Sequence, residues 1–284
     1  MKRLFALLAL ILFLLPGCGR QENHAQIAAT TLPVYEFTSR LCEGTGITVT
    51  RLVTESVSCL HDYSLNVRQV RAVEAAELIV ISGAGLEVFM EDLLAHKNII
   101  DSSVGIEPPE SEHQHDHHHE ADAHIWLSPE NAKQMAANIY TGLCQKYPEH
   151  KDSFATNLQA LLADLDKLQL YANEQLADLS CRELITFHDG FGCLADTFQL
   201  QILAAVEEES GSEASAAELK ELIGLVRDHH LPAVFTERNG SVSAANIIAA
   251  ETGVKIYALD MAMSGESWLN AMYQNIDTLK EALR

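Results

Sequence analysis

Two periods of apolar positions alternate along the chain, and together they predict a layered α/β fold. Ile27 to Thr31 is a short strand-like run; Pro33 then opens a helix with Val34, Phe37 and Leu41 on one face, and Ile47 to Val53 reads as the next strand. Leu65, Val67, Val70 and Val73 mark a surface helix before the buried strand Leu78 to Ser82. A helix over Leu86 to Leu94, a short strand over Asn98 to Asp101 and a helix opened by Pro129 with Met135, Ile139 and Leu143 complete this half. The pattern then changes. Phe154, Leu158, Leu161, Leu165, Leu168, Ala172, Leu176 and Leu179 recur every three or four residues with no Gly or Pro between them. They predict one helix from Lys151 to Leu179, roughly 43 Å long at about 1.5 Å per residue. Beyond it the strand–helix alternation restarts, with strands at Glu183 to Phe187, Leu200 to Val206, Ala233 to Thr236 and Val254 to Leu259. Helices fall at Phe191 to Phe198, after the capping box Ser215 and Glu218, at Val242 to Thr252 and at Trp268 to Leu283. The expected architecture is two α/β lobes, residues 27–150 and 180–284, each a small parallel sheet flanked by helices, joined by a long rigid helix over 151–179.

Length and charge agree with two lobes and narrow the function. At 284 residues the chain exceeds what one core usually supports. A formal charge of −21, from 19 Lys and Arg against 40 Asp and Glu, speaks against a nucleic-acid partner and suits a cationic ligand. Residues 1–17 read as a signal peptide: Lys2 and Arg3 precede an unbroken apolar run from Leu4 to Leu15, too short to span a bilayer. The run ends in Leu15-Pro16-Gly17-Cys18, which resembles a bacterial lipobox, so Cys18 is the expected lipidation site and 18–26 a tether. Plain secretion with an unmodified Cys18 is the alternative. The protein is thus expected outside the cytoplasm, lipid-anchored to the outer face of the membrane and monomeric. Export permits disulfides; Cys42 with Cys59, and Cys181 with Cys193, are the pairs to test, against buried free thiols.

The chemistry is concentrated in His113 to Asn131, where a tract of imidazoles at His113, His115, His117, His118 and His119 runs into His124-Ile125-Trp126-Leu127-Ser128-Pro129. Imidazole and carboxylate together suit a borderline divalent metal such as zinc. The tract, in a loop over 110–123, has no apolar member and reads as a solvated loop for weak metal capture. Four firmer ligand candidates occupy comparable places: His61 in the loop after a strand, His124 before a helix, and His188 and Asp260 directly after strands. Loops beyond the carboxyl ends of parallel strands converge on ligands, so two facing lobes predict a site between them. Glu237, at the end of a strand, is a possible fifth ligand or supporting carboxylate; Asp62 and Asp189, each beside a histidine, are possible hydrogen-bond acceptors behind the ligands. No catalytic residue is indicated. HExxH is absent, and Gly83-Ala84-Gly85 lacks the third glycine of a dinucleotide fingerprint. A zinc hydrolase would need an open coordination position and a base, for which Glu237 is the sole candidate.

These residues resemble the metal-binding lipoproteins of ABC importers, in the zinc and manganese group. The likeness runs through the lipobox, His61, Ala76 to Val80 with Gly85-Leu86-Glu87, His124 to Pro129, the long helix, Phe187-His188-Asp189, Phe235-Thr236-Glu237 and Leu259-Asp260. Ala123 and Ser128 depart from the family's usual Pro and Asp, and the segments Glu207 to Ser215 and Asp260 to Ser267 from its commonest patterns. The resemblance implies metal held between two lobes by His61, His124, His188 and Asp260, and delivery to an ABC permease. His at the third position and the His-rich loop imply Zn²⁺; Mn²⁺ is the alternative. A surface zinc store or adhesin without a permease is a further one.

Overall fold

The computed structural model describes residues 25–55, 60, 63–107, 122–206 and 214–284. Cys18, Cys59, His61, Asp62 and the tract from His113 to His119 lie outside these residues. The first lobe contains β1 (Ile27–Ala29), α1 (Leu32–Leu41), β2 (Val49–Arg51), α2 (Val67–Ala75), β3 (Leu78–Ile81), α3 (Glu91–Leu94), β4 (Ile99–Asp101) and α4 (Pro129–Lys146). After the connector α5 (Lys151–Gln175), the second lobe contains β5 (Glu183–Thr186), α6 (Gly192–Thr197), β6 (Gln201–Ala205), α7 (Ala216–Asp228), β7 (Ala233–Glu237), α8 (Ser243–Thr252), β8 (Lys255–Leu259) and α9 (Trp268–Leu283). Both sheets are parallel and share one connectivity, β2-β1-β3-β4 and β6-β5-β7-β8. The strand order reverses between β1 and β3 in one lobe and between β5 and β7 in the other. Such switch points open a crevice at the carboxyl ends of the strands.

Local chemistry accounts for the element ends. Asn66 and Gln69 form a capping box on α2, Ser215 and Glu218 one on α7, and the Ser128 hydroxyl accepts the Asn131 N–H at the start of α4. The helix expected over Leu86 to Leu94 is instead a 3-10 turn, Leu86–Met90, followed by the single α turn of α3. Glu87 leaves helical geometry there because its buried carboxylate turns back to accept from Thr30 Oγ1 (2.6 Å) and from the backbone N–H of Ser82 (2.7 Å) and Gly83 (3.0 Å). The connector also stops short of Leu179. Its end carbonyls at Leu176 and Ala177 accept from the Arg182 guanidinium at 2.8 and 3.3 Å, which turns the chain into β5.

The connector lies against α1, α4 and α9, burying Phe154, Leu158, Leu161, Leu165, Leu168 and Ala172 in an apolar cluster that continues through both lobes. Direct bonds tie the lobes further. Trp126 Nε1, fully buried, donates to Met261 O at 2.7 Å, Leu32 N to Met263 O at 3.3 Å, and Trp268 N to the Glu36 carboxylate at 2.6 Å. The lobes are therefore held at fixed spacing by shared core, not by a hinge. Among the described residues no helix is long and apolar enough to cross a membrane.

Of the two readings open for Cys181 and Cys193, the structure has free thiols: Cys42, Cys144, Cys181 and Cys193 are all unpaired. Cys181 precedes β5 and Cys193 follows it on α6, so the strand holds them at opposite ends of the sheet. Bonded cysteines need Cα atoms within about 7 Å, whereas a four-residue strand alone advances roughly 13 Å. Cys42 is also unpaired, buried so that its thiol is pushed up to about 12.

Candidate metal centre

His124 enters the site on a rigid support. It immediately precedes a 3-10 turn, Ile125–Leu127, whose three side chains are fully buried and which leads into the Ser128-capped α4. Packing of that turn sets where the imidazole goes. His188 arrives from the other lobe, one residue beyond Phe187, whose N–H is anchored on Phe235 O at 2.9 Å. The two imidazoles meet edge to face, ring centroids 5.1 Å apart and planes at 85°.

Their Nε2 atoms lie 3.5 Å from each other. Two nitrogen ligands of one tetrahedral zinc, each about 2.0–2.1 Å from the metal, are separated by about 3.3–3.4 Å. The pair thus already has the spacing of two corners of a zinc tetrahedron. His124 is buried, whereas the His188 side chain is 18% exposed.

Behind each imidazole stands a carboxylate. Asp122 Oδ1 accepts from His124 Nδ1 at 2.8 Å and from the His124 backbone N–H at 2.9 Å, while its Oδ2 accepts the Cys193 N–H at 3.2 Å. Burial by itself would push the Asp122 carboxyl up, but these hydrogen bonds from His124 and Cys193 outweigh it and hold the group below its ordinary value. Glu237, nearly fully buried at the end of β7, places Oε2 3.9 Å from His188 Nδ1. That is beyond hydrogen-bond range but has the right sign to orient the ring.

Gly190 closes the site from below. A Cβ there would lie 2.6 Å from His188 Cδ2 and 2.8 Å from both Cε1 and Nδ1 of His124. The glycine backbone is therefore the floor on which both imidazoles rest, and its role is space.

Asp260 follows β8 as expected and is firmly fixed. Asn275, buried on α9, accepts from the Asp260 N–H at 2.8 Å and donates to its carbonyl at 2.7 Å. Oδ1 accepts the N–H of Ala262, a residue with φ 54, and Oδ2 faces Arg238 Nη1 at 3.3 Å. Among the described residues no third His, Cys, Asp or Glu joins the histidine pair in a metal-holding group. His124 and His188 are thus brought together, Asp260 is held by other partners, and His61 and Asp62 lie outside the described residues. Asp189 is half-buried beside His188, and the carboxylate behind His124 is Asp122. Asp122, Gly190 and Asn275 were not legible as site residues, although the Asp-x-His spacing at 122–124 was a usable signal.

Comparison with known proteins agrees with this geometry. Residues 27–282 match the family model described as zinc-uptake complex component A, periplasmic. The zinc-binding lipoprotein AdcA of Streptococcus pneumoniae is 29% identical over 99% of this chain, which spans 61% of AdcA. The chain thus covers about six-tenths of the length of that relative. The high-affinity zinc uptake system protein ZnuA of Bacillus subtilis is 26% identical, with 99% of this chain and 97% of ZnuA covered. A crystal structure of a zinc-bound ZnuA deletion mutant superposes with TM-score 0.79 at 30% identity, covering 91% of this chain and 98% of that one. Two parallel α/β lobes on a long helix, an imidazole pair at zinc spacing between them, and a family match over nearly the whole chain converge: this chain belongs to the zinc-uptake complex component A family.

Proposed function

We propose that this protein captures Zn²⁺ outside the cytoplasm and delivers it to an ABC-type permease. The observation that carries the reading is the 3.5 Å separation of His124 Nε2 and His188 Nε2, supplied by two different lobes. His61 supplies the third imidazole and Asp260 the carboxylate; Glu237 supports His188 or adds a fifth ligand. Zn²⁺ is the cargo, and Mn²⁺ the competitor to exclude. The protein is a carrier and not an enzyme: among the described residues Asp122 and Glu237 stand beside the far nitrogens of the imidazoles, where a carboxylate orients a ligand. The lipid on Cys18 would keep the carrier at the outer face of the membrane, beside the permease.

Capture follows from the donor set. Imidazoles bind metal only when neutral, so zinc displaces protons and affinity falls as the solution is acidified. Because the lobes share one core, entry and release proceed by movement of loops around the His188 side and not by lobe closure. The His-rich tract at 113–119 raises the local zinc concentration without forming the tight site.

The test is a zinc and manganese competition titration with elemental analysis on the chain lacking residues 1–18. One tight zinc per chain, lost in His188→Ala and retained when 113–119 are deleted, is the expected result. Binding that vanishes with the tract and ignores His188 would overturn the reading, and displacement of zinc by manganese would change the cargo. In cells short of zinc, deleting 113–119 should slow uptake; unchanged uptake would remove the capture role.

A further inference from the structure

The carboxylate of Asp122 touches both lobes at once, and its contacts are chemically unequal. Oδ1 takes two donors from His124 in the first lobe, and Oδ2 takes the Cys193 N–H from the first turn of α6 in the second. The side chain is 9% exposed, so water does not compete effectively for these bonds. We propose that Asp122 is a positioning residue for zinc capture: it fixes His124 as the Nδ1–H tautomer, so that Nε2 offers its lone pair to the metal, and it pins that imidazole to the lobe carrying His188. This inference rests on the zinc site proposed above.

The chemical reason is the acceptor-only character of an ionised carboxylate. A ring nitrogen 2.8 Å from it must carry the proton, which leaves the other nitrogen as the acceptor. In water a neutral imidazole favours the opposite tautomer, with the proton on Nε2, and that form cannot bind a metal through Nε2. Asp122 therefore selects the binding-competent form before zinc arrives. The Cys193 bond adds the second effect. The two ligand imidazoles come from residues 64 positions apart, and Cys193 lies five positions past His188 on the same segment, so the Asp122–Cys193 bond ties the ligand segments of the two lobes together. Asp122→Asn separates the two effects. Its amide oxygen still accepts from His124, whereas its NH₂ meets the Cys193 N–H donor to donor.

The experiment uses the chain lacking residues 1–18, labelled with ¹⁵N-histidine. Long-range ¹H–¹⁵N spectra of the metal-free protein read the tautomer of His124, assigned with His124→Ala, and zinc competition reads affinity. Wild type should show protonated Nδ1 and bare Nε2. Asp122→Ala should lose that tautomer and bind zinc about 10–100-fold more weakly, as for other carboxylates that support metal-ligating histidines. Asp122→Asn should restore the tautomer and recover part, but not all, of the affinity. A wild-type His124 protonated on Nε2 would overturn the proposal even if Asp122→Ala failed to fold, as would an Asp122→Ala variant with unchanged affinity or an unchanged tautomer. If His124→Ala itself left zinc affinity intact, it would be the zinc-site assignment that failed.

Discussion

Replacing Gly190 by alanine is the smallest change that should disable the proposed zinc site while leaving every proposed ligand in the sequence. The new Cβ would stand 2.6 Å from His188 Cδ2 and 2.8 Å from two atoms of His124, against an ordinary contact that begins near 3.4 Å. Relief requires shifts of about 0.6–0.8 Å in rings or backbone. Metal–ligand distances tolerate only about ±0.2 Å, so the imidazoles cannot give way and still share a zinc ion. His124 has little freedom to retreat, because Asp122 holds Nδ1 and the fully buried Ile125, Trp126 and Leu127 fix the turn behind it. Inserting a methyl group into a tight space typically costs about 1–3 kcal/mol, equivalent to roughly 5- to 150-fold in affinity. Competition against a fluorescent zinc chelator should therefore show Gly190→Ala weakened by at least about 5-fold, with far-ultraviolet circular dichroism unchanged. Zinc affinity within twofold of wild type would refute the reasoning, since it would mean that the two rings do not rest on this backbone when metal is bound.

Three further outcomes follow from other parts of the structure. Burial raises the Glu87 carboxyl to about 7, against hydrogen bonds from Thr30, Gly83 and Ser82 that pull it down. Its folded-state value thus exceeds its unfolded one, so its contribution to stability is full below about 4.5 and is lost as pH rises through about 7, a change of about 3 kcal/mol. Urea unfolding across this range should show wild type losing that amount relative to Glu87→Gln; a pH-independent difference between the two would be inconsistent with the buried proton. Trp126→Phe strands the Met261 carbonyl between the lobes and should destabilise the protein by about 1–3 kcal/mol in urea, and a loss under about 0.5 kcal/mol would show that the bond does not join them. X-ray scattering of metal-free and zinc-loaded protein should superimpose, because the connector's apolar face and the shared core leave no hinge; a contraction on zinc binding would contradict the fixed lobe spacing.

Sequence periodicity alone determined the two-lobe plan. The eight strands among the described residues fall where apolar runs placed them, and the connector is one helix because its apolar positions keep a helical period with no Gly or Pro to break them. Helix starts at Asn66, Ser128 and Ser215 were equally local matters of capping side chains. His124 and His188 were legible as candidates because a histidine at a strand end or helix entry is visible in a short window. Tertiary structure decided what depends on distance through space. The 3.5 Å approach of residues 64 apart, the carboxylate that spans 71 residues to reach Cys193, and the glycine floor under two rings have no signature within any short window. The same reason overturned one expectation and decided between two open readings. Glu87 left its helix because Thr30, 57 residues away, and two backbone donors satisfy it better once it is buried, and Cys181 and Cys193 remained thiols because β5 runs between them. Local period chose the elements; packing of those elements against one another made two distant imidazoles into one site.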